Sequence, residues 1–144
     1  MKFCNLILEM AFNQSDSIAR IEVQISPLIQ HIVKCWAAPQ SQDYKHWKNE
    51  IAGILDKIDD FGNIKTKKGR ISAKVLRKEY KWYQTENTLL KKIKHIEIVY
   101  DIKISDSDKQ IYIKKLQNFL NELWDKLEND KIEVSDILTE LSIF

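Results

Sequence analysis

Residues 18–36, IARIEVQISPLIQHIVKCW, place Ile18, Ile21, Ile25, Leu28, Ile29, Ile32, Val33 and Trp36 at helical steps, so one face of a helix is apolar from end to end. Pro27 interrupts the run. Either Ser26 caps a fresh helix with Pro27 in its first turn, or a longer helix kinks there. The stripe passes the proline without changing phase, which favours the kink.

The same periodicity continues downstream. After the loop AAPQSQ around Pro39, a second helix is expected over 43–61, with Tyr44, Trp47, Ile51, Ile54, Leu55, Ile58 and Phe61 on one face and Gly62–Asn63 as its stop. A polar, basic connection, NIKTKKGR, follows. Ile71, Val75, Trp82, Leu89, Ile93, Ile96 and Tyr100 then fall in a narrow arc at about 100° per residue, predicting one long third helix over 71–100. Its end is ambiguous, because Ile96, Ile98, Tyr100, Ile102 and Ile104 also alternate as a strand would. A lone strand lacks a partner, and helix is expected to about Tyr100. Ser105 and Asp108 form a capping-box-like start for a fourth helix that buries Ile113, Leu116, Phe119, Leu120, Leu123, Trp124 and Leu127. A short helix over 135–141 follows. The opening segment around Phe3, Leu6, Ile7 and Met10 reads as helix or as an ordered arm.

With three Gly and two Pro in 144 residues, the chain has too few turn residues for a multi-stranded β architecture. The expected fold is all-α: a single domain, 1–144, built as a bundle of four to five helices. The four tryptophans, at 36, 47, 82 and 124, each fall on a predicted apolar face and are expected to meet in the core. Cys4 and Cys35 provide no bridge framework and no CxxC unit, and a reducing cytoplasm is the simpler expectation. The first residues lack the h-region and cleavage site of a secretory signal, and no stretch approaches the roughly 20 apolar residues of a membrane span.

The net charge of +2 conceals a strong polarity. Residues 1–60 carry six Lys/Arg against eight Asp/Glu, residues 61–98 carry eleven against three, and residues 99–144 carry six against ten. Such asymmetry informs about partners.

GNIKTKKGR has two glycines around lysines but lacks Walker spacing and its GK[ST] ending. His31 and Cys35 lie four apart on one helical face, and His46 could approach from the next helix; a buried core role for them is the favoured reading over a metal site. No Ser or Cys nucleophile is announced by a motif. No cofactor is implied, and the protein is expected not to be an enzyme.

The basic segment carries the physical content. On a continuous third helix, Arg70, Lys74, Lys78, Lys81 and Lys92 lie along one flank, with Arg77 and Lys91 close by and Lys65, Lys67 and Lys68 in the preceding loop. Tyr80 is the aromatic expected to be exposed beside them, with Trp82 and Tyr83 turned to the core. The stripe suits a phosphate backbone, an ordinary solvated face whose lysine stems cover apolar neighbours, or a contact with the acidic C-terminal third, within the fold or between subunits.

SPLIQHIVK, followed after a short polar loop by HWKNEI, is similar to a small all-helical bacterial family known as domain of unknown function 29. The matching positions are Ser26, Leu28, His31, Lys34, His46, Trp47, Glu50 and Ile51, within residues 15–60, about a third of the chain. Where that family has a Tyr-x-x-Ala-Arg-like segment, this chain has LRKEYKWYQTE. The resemblance implies a helical bundle and no particular chemistry. Taken together, the expectation is a non-catalytic cytoplasmic interaction module that binds a protein partner, or a second copy of itself, through its polarised charged surface. The alternative is sequence-tolerant DNA or RNA binding through the basic third helix; no membrane contact is expected.

Overall fold

The apolar stripe of residues 18–36 is the wall on which the rest of the chain is built. In the computed structural model, which describes residues 14–64 and 69–144, helix α1 spans Gln14–Ala37 and buries Ile21, Ile25, Leu28, Ile29, Ile32 and Val33. The helix runs unbroken through Pro27, so the proline opens no second helix. The opening-segment expectation at Phe3, Leu6, Ile7 and Met10 lies outside the described residues.

Helix α2, Tyr44–Phe61, packs extensively on α1 through Trp47, Ile51, Ile54, Leu55 and Ile58. It stops at Gly62, whose φ of −68° is ordinary, so the glycine serves space rather than handedness. A Cβ there would lie 2.7 Å from Leu127 Cδ1 and 2.8 Å from Arg70 Nη2. The segment read as a plain connection instead pairs two short antiparallel strands, β1 (Asn63–Ile64) and β2 (Gly69–Arg70), in the register Asn63↔Arg70 and Ile64↔Gly69.

The long third helix divides, which corrects the expectation of one helix over 71–100. Helix α3 covers Ala73–Glu79, a 3-10 turn covers Lys81–Gln84, and helix α4 covers Glu86–Tyr100. The physical reason is phase. Ala73, Leu76 and Tyr80 are buried, and so are Leu89, Ile93 and Ile96. The nine residues from Tyr80 to Leu89 are about two and a half helical turns, which would put the two sets on opposite sides of a continuous helix. The break turns both sets inward. Ser72 and Thr85 supply the caps of the two helices, accepting hydrogen bonds from the backbone N–H of Lys74 and Thr88.

Helix α4 ends at Asp101, which is left-handed with φ 51°. Helix α5, Asp106–Glu128, starts where the sequence indicated, with Ser105 Oγ accepting from Asp108 N at 3.1 Å. Helix α6, Val134–Glu140, follows, and the chain end ties back to α1 and the start of α2: Trp36 Nε1 donates to Leu141 O, and Phe144 N donates to Tyr44 Oη. Six α-helices are thus present among the described residues, and one cluster of buried side chains draws on all of them. The fold is predominantly all-α, as expected, with the sixth helix arising from the split. No helix among the described residues is long and apolar enough to cross a membrane.

Tryptophan placement follows the expectation at Trp124 and Trp47, which are buried, and partly at Trp36, which is half-buried against Tyr112. Trp82 departs from it. Its side of the chain is the one released by the helix break, and the indole is 50% exposed.

Candidate functional site

The break at Tyr80 also dismantles the basic stripe, since Arg70 precedes α3 and the remaining cations now sit on separate elements. Lys65, Lys67 and Lys68 lie outside the described residues. Arg70 is turned into the protein. Its Nε donates to Leu127 O at 2.6 Å, its Nη1 to Asn63 Oδ1 at 2.8 Å, and its Nη2 to both the carbonyl and the carboxylate of Asp59. Asp130 approaches the same guanidinium at 3.2 Å. Arg77 reaches α5, donating to the Asn121 side chain and carbonyl and to Asp125 Oδ2. Two arginines of the basic segment are therefore internal struts onto the acidic C-terminal third, the forked guanidinium suiting several acceptors at once.

Lys92 is half-buried, with Nζ donating to Ser26 Oγ on α1 at 2.6 Å. Burial, and then the nearby Lys34, lower its pKa. Lys74, Lys78, Lys81 and Lys91 are exposed and form no ion pair among the described residues. These four lysines are the part of the predicted stripe left facing outward.

An arrangement that the periodicity did not indicate adjoins Lys91. Tyr80, expected to be exposed, is 1% exposed: its hydroxyl donates to Ile18 O, and its ring lies 5.2 Å from that of Trp124. Burial raises its pKa, with Glu22 adding to the effect. At the other end of the 3-10 turn, Gln117 Nε2 donates to Gln84 O at 2.8 Å, and Thr85 Oγ1 donates to Trp82 O. The turn is thus pinned to α1 and α5 while it projects Trp82, whose ring lies on Tyr83 at 3.6 Å between centroids. Trp82 and Tyr83 border a groove of about 380 Å³ floored by Ile29 and Leu89 and edged by Ser26, Thr88, Lys91, Lys92 and His95. Every charged or titratable side chain of the lining other than the tyrosine is a lysine or histidine. Glu22 faces Tyr83 from α1 and, after burial, helps to raise the phenol's pKa.

The other titratable cluster lies between α1 and α2. His31 is half-buried, its Nδ1 lacks a hydrogen-bond partner among the described residues, and burial followed by Lys34 lowers its pKa. Lys34 is 3% exposed and holds its ammonium 3.3 Å from the Tyr100 ring centroid and 5.6 Å from that of Trp47. His46 and Glu50 stand 3.9 Å apart on the exposed side of α2. Cys35 points into the core, where burial pushes its thiol up to about 11. No group of three or more His, Cys, Asp or Glu side chains converges among the described residues, so His31, Cys35 and His46 do not form one site.

No family model, curated protein or solved structure matches this chain. The similarity of residues 15–60 to domain of unknown function 29 accordingly rests on its own residues. In the fold, His31 and Lys34 on α1 face His46, Trp47 and Glu50 on α2, so those positions form a helix–helix contact.

Trp82 is the functional candidate that sequence reasoning missed. The signal was present: the spacing of Tyr80 and Leu89 is incompatible with one continuous buried face, and Thr85 is a capping residue in between.

Proposed function

We propose that the protein is a non-catalytic, cytoplasmic interaction module that binds a protein partner through the face carrying Lys74, Lys78, Lys81, Lys91 and Trp82. The observation behind this reading is the half-exposed indole of Trp82 on a turn held by Tyr80 and Gln84, with Lys81 beside it in sequence and Lys91 on the same groove, both without an ion pair among the described residues. A large aromatic in a desolvated centre with charged residues at the rim is the composition of energetic centres in protein interfaces. Pinning of the turn by Tyr80 and Gln84 reduces the ordering cost of binding. The buried, free thiol of Cys35 suits a reducing compartment.

A second reading, single-stranded nucleic acid, draws on the same exposed indole, because a base can stack on Trp82 while lysines follow the backbone. The protein reading is favoured because, among the described residues, the cations of the stripe sit on separate elements, and because the groove beneath Trp82 has an apolar floor. The test is affinity capture from nuclease-treated lysate with the intact chain and with a Lys74→Gln, Lys78→Gln, Lys81→Gln, Lys91→Gln variant. A defined protein should be retained by the first and lost by the second. Capture that nuclease abolishes, or that the variant retains in full, refutes the reading.

A further inference from the structure

Resting on that reading, we infer that the Trp82 groove receives a single apolar side chain from an acidic segment of the partner, with flanking carboxylates meeting Lys91, Lys92 and His95. Three features support this occupant. The floor and roof are hydrocarbon and aromatic: Ile29, Leu89, Trp82 and Tyr83. At about 380 Å³ and open to solvent, the groove suits an inserted side chain better than an extended apolar surface. The charge on its edge is of one sign. Lys91 and Lys92 bracket it from α4, with His95 one turn further, and no Asp or Glu among the described residues lines it.

Lys92 is the most informative member. Its ammonium is fixed by Ser26 at 2.6 Å, is half-buried, and feels the like charge of Lys34 behind it. A carboxylate arriving there offsets repulsion already present between two lysines, so an anion gains more at Lys92 than at a solvated lysine. Lys34 on α1 and Lys91 on α4 share the sign of Lys92, His95 adds a polar edge, and the Glu22 carboxylate on α1 approaches the groove as the hydrogen-bond partner of Tyr83. An apolar anchor alone would leave Lys92 buried more deeply without a counter-charge, and a purely acidic strand would leave Trp82 unused. The inference requires both in one segment.

The test uses the full chain and fluorescence anisotropy with short labelled peptides of Asp and Glu. One has a central Leu and a second has Ser in its place; an oligothymidylate of similar length is the third probe. Saturable binding is expected for the Leu peptide at low salt, weakened about tenfold or more by Trp82→Ala and by Lys92→Met. Lys91→Gln, at an exposed site, should weaken it less. Circular dichroism confirms that each variant is folded. Equal binding of the Ser peptide, or insensitivity to Trp82→Ala, overturns the apolar anchor. Binding of the oligothymidylate in preference to both peptides assigns the groove to nucleic acid and also overturns the inference. If no peptide binds while the lysate partner is still captured through the four lysines, this inference falls and the interaction reading stands; if that capture also fails, both fall.

Discussion

Replacing Arg70 by Met should destabilise the protein severely, although sequence alone places Arg70 in a row with the binding lysines. The side chain is 13% exposed and bonds four acceptors on three elements, namely Leu127 O, Asn63 Oδ1, and the carbonyl and carboxylate of Asp59. Methionine preserves much of the stem and takes the charged donor away from Leu127 O and Asp59 O, which retain the backbone N–H of Asp130 at 3.3 Å and of Gly62 at 3.2 Å. Hydrogen bonds involving a charged group contribute about 1.5–3 kcal/mol each in favourable settings. Asp59 is 34% and Asp130 70% exposed, so solvent screening discounts the ionic part, and the pair with Asp130 contributes about 0–1 kcal/mol. A net loss of about 2–4 kcal/mol follows, a large share of the roughly 5–15 kcal/mol that a domain has. In urea unfolding, with a slope of about 1–3 kcal/mol/M, the midpoint should fall by roughly 1–2 M. Arg70→Lys should recover only part, because an ammonium cannot reach acceptors spread around a fork. Lys78→Gln should change stability by less than about 0.5 kcal/mol. If Arg70→Met unfolds with Lys78→Gln at the parent midpoint, the division between internal arginines and outward lysines is wrong.

Gly62→Ala should cost about 1–3 kcal/mol in the same assay, because its methyl would press on Leu127 and Arg70. Gly53→Ala, exposed inside α2 with nothing within 4 Å of the new methyl, should gain about 0.5–1 kcal/mol. The folded pKa of His31 lies below its ordinary 6.5 because of burial and then Lys34. As pH falls below about 6.5 the unfolded chain takes up a proton that folded His31 resists, so stability should decline towards pH 5, and His31→Gln should flatten that decline. Tyr80→Phe removes the hydroxyl that Ile18 O accepts beside its own helical N–H and should lower stability by about 1 kcal/mol, while Trp82→Ala should cost less in stability and abolish partner capture.

The sequence was most legible where one helix meets one core. In α1 and α2 the steps of three and four hold for whole helices, and Ser105 announces α5 by a local hydrogen bond. Between Ile71 and Tyr100 the same rule misled, because Val75 and Trp82 happen to share the phase of Leu89, Ile93 and Ile96. The true stripe switches sides at Tyr80, and what rewards the switch is a phenol reaching Ile18 and stacking near Trp124, contacts 62 and 44 residues away in sequence. Arg70 and Arg77 were hard to separate from the lysines for the same reason. Their acceptors on α5, Leu127, Asn121 and Asp125, lie 44 to 57 residues distant. Charge polarity between the middle and the C-terminal third was readable; which cations it consumes was a matter of tertiary geometry.

The most direct measurement is a lysine acetylation footprint of the protein alone and in complex with its captured partner, read by mass spectrometry. The account predicts that Lys74, Lys78, Lys81 and Lys91 react freely in the isolated chain and become protected in the complex. Protection confined to lysines elsewhere, such as Lys57 or Lys114, with these four still reactive, would contradict it.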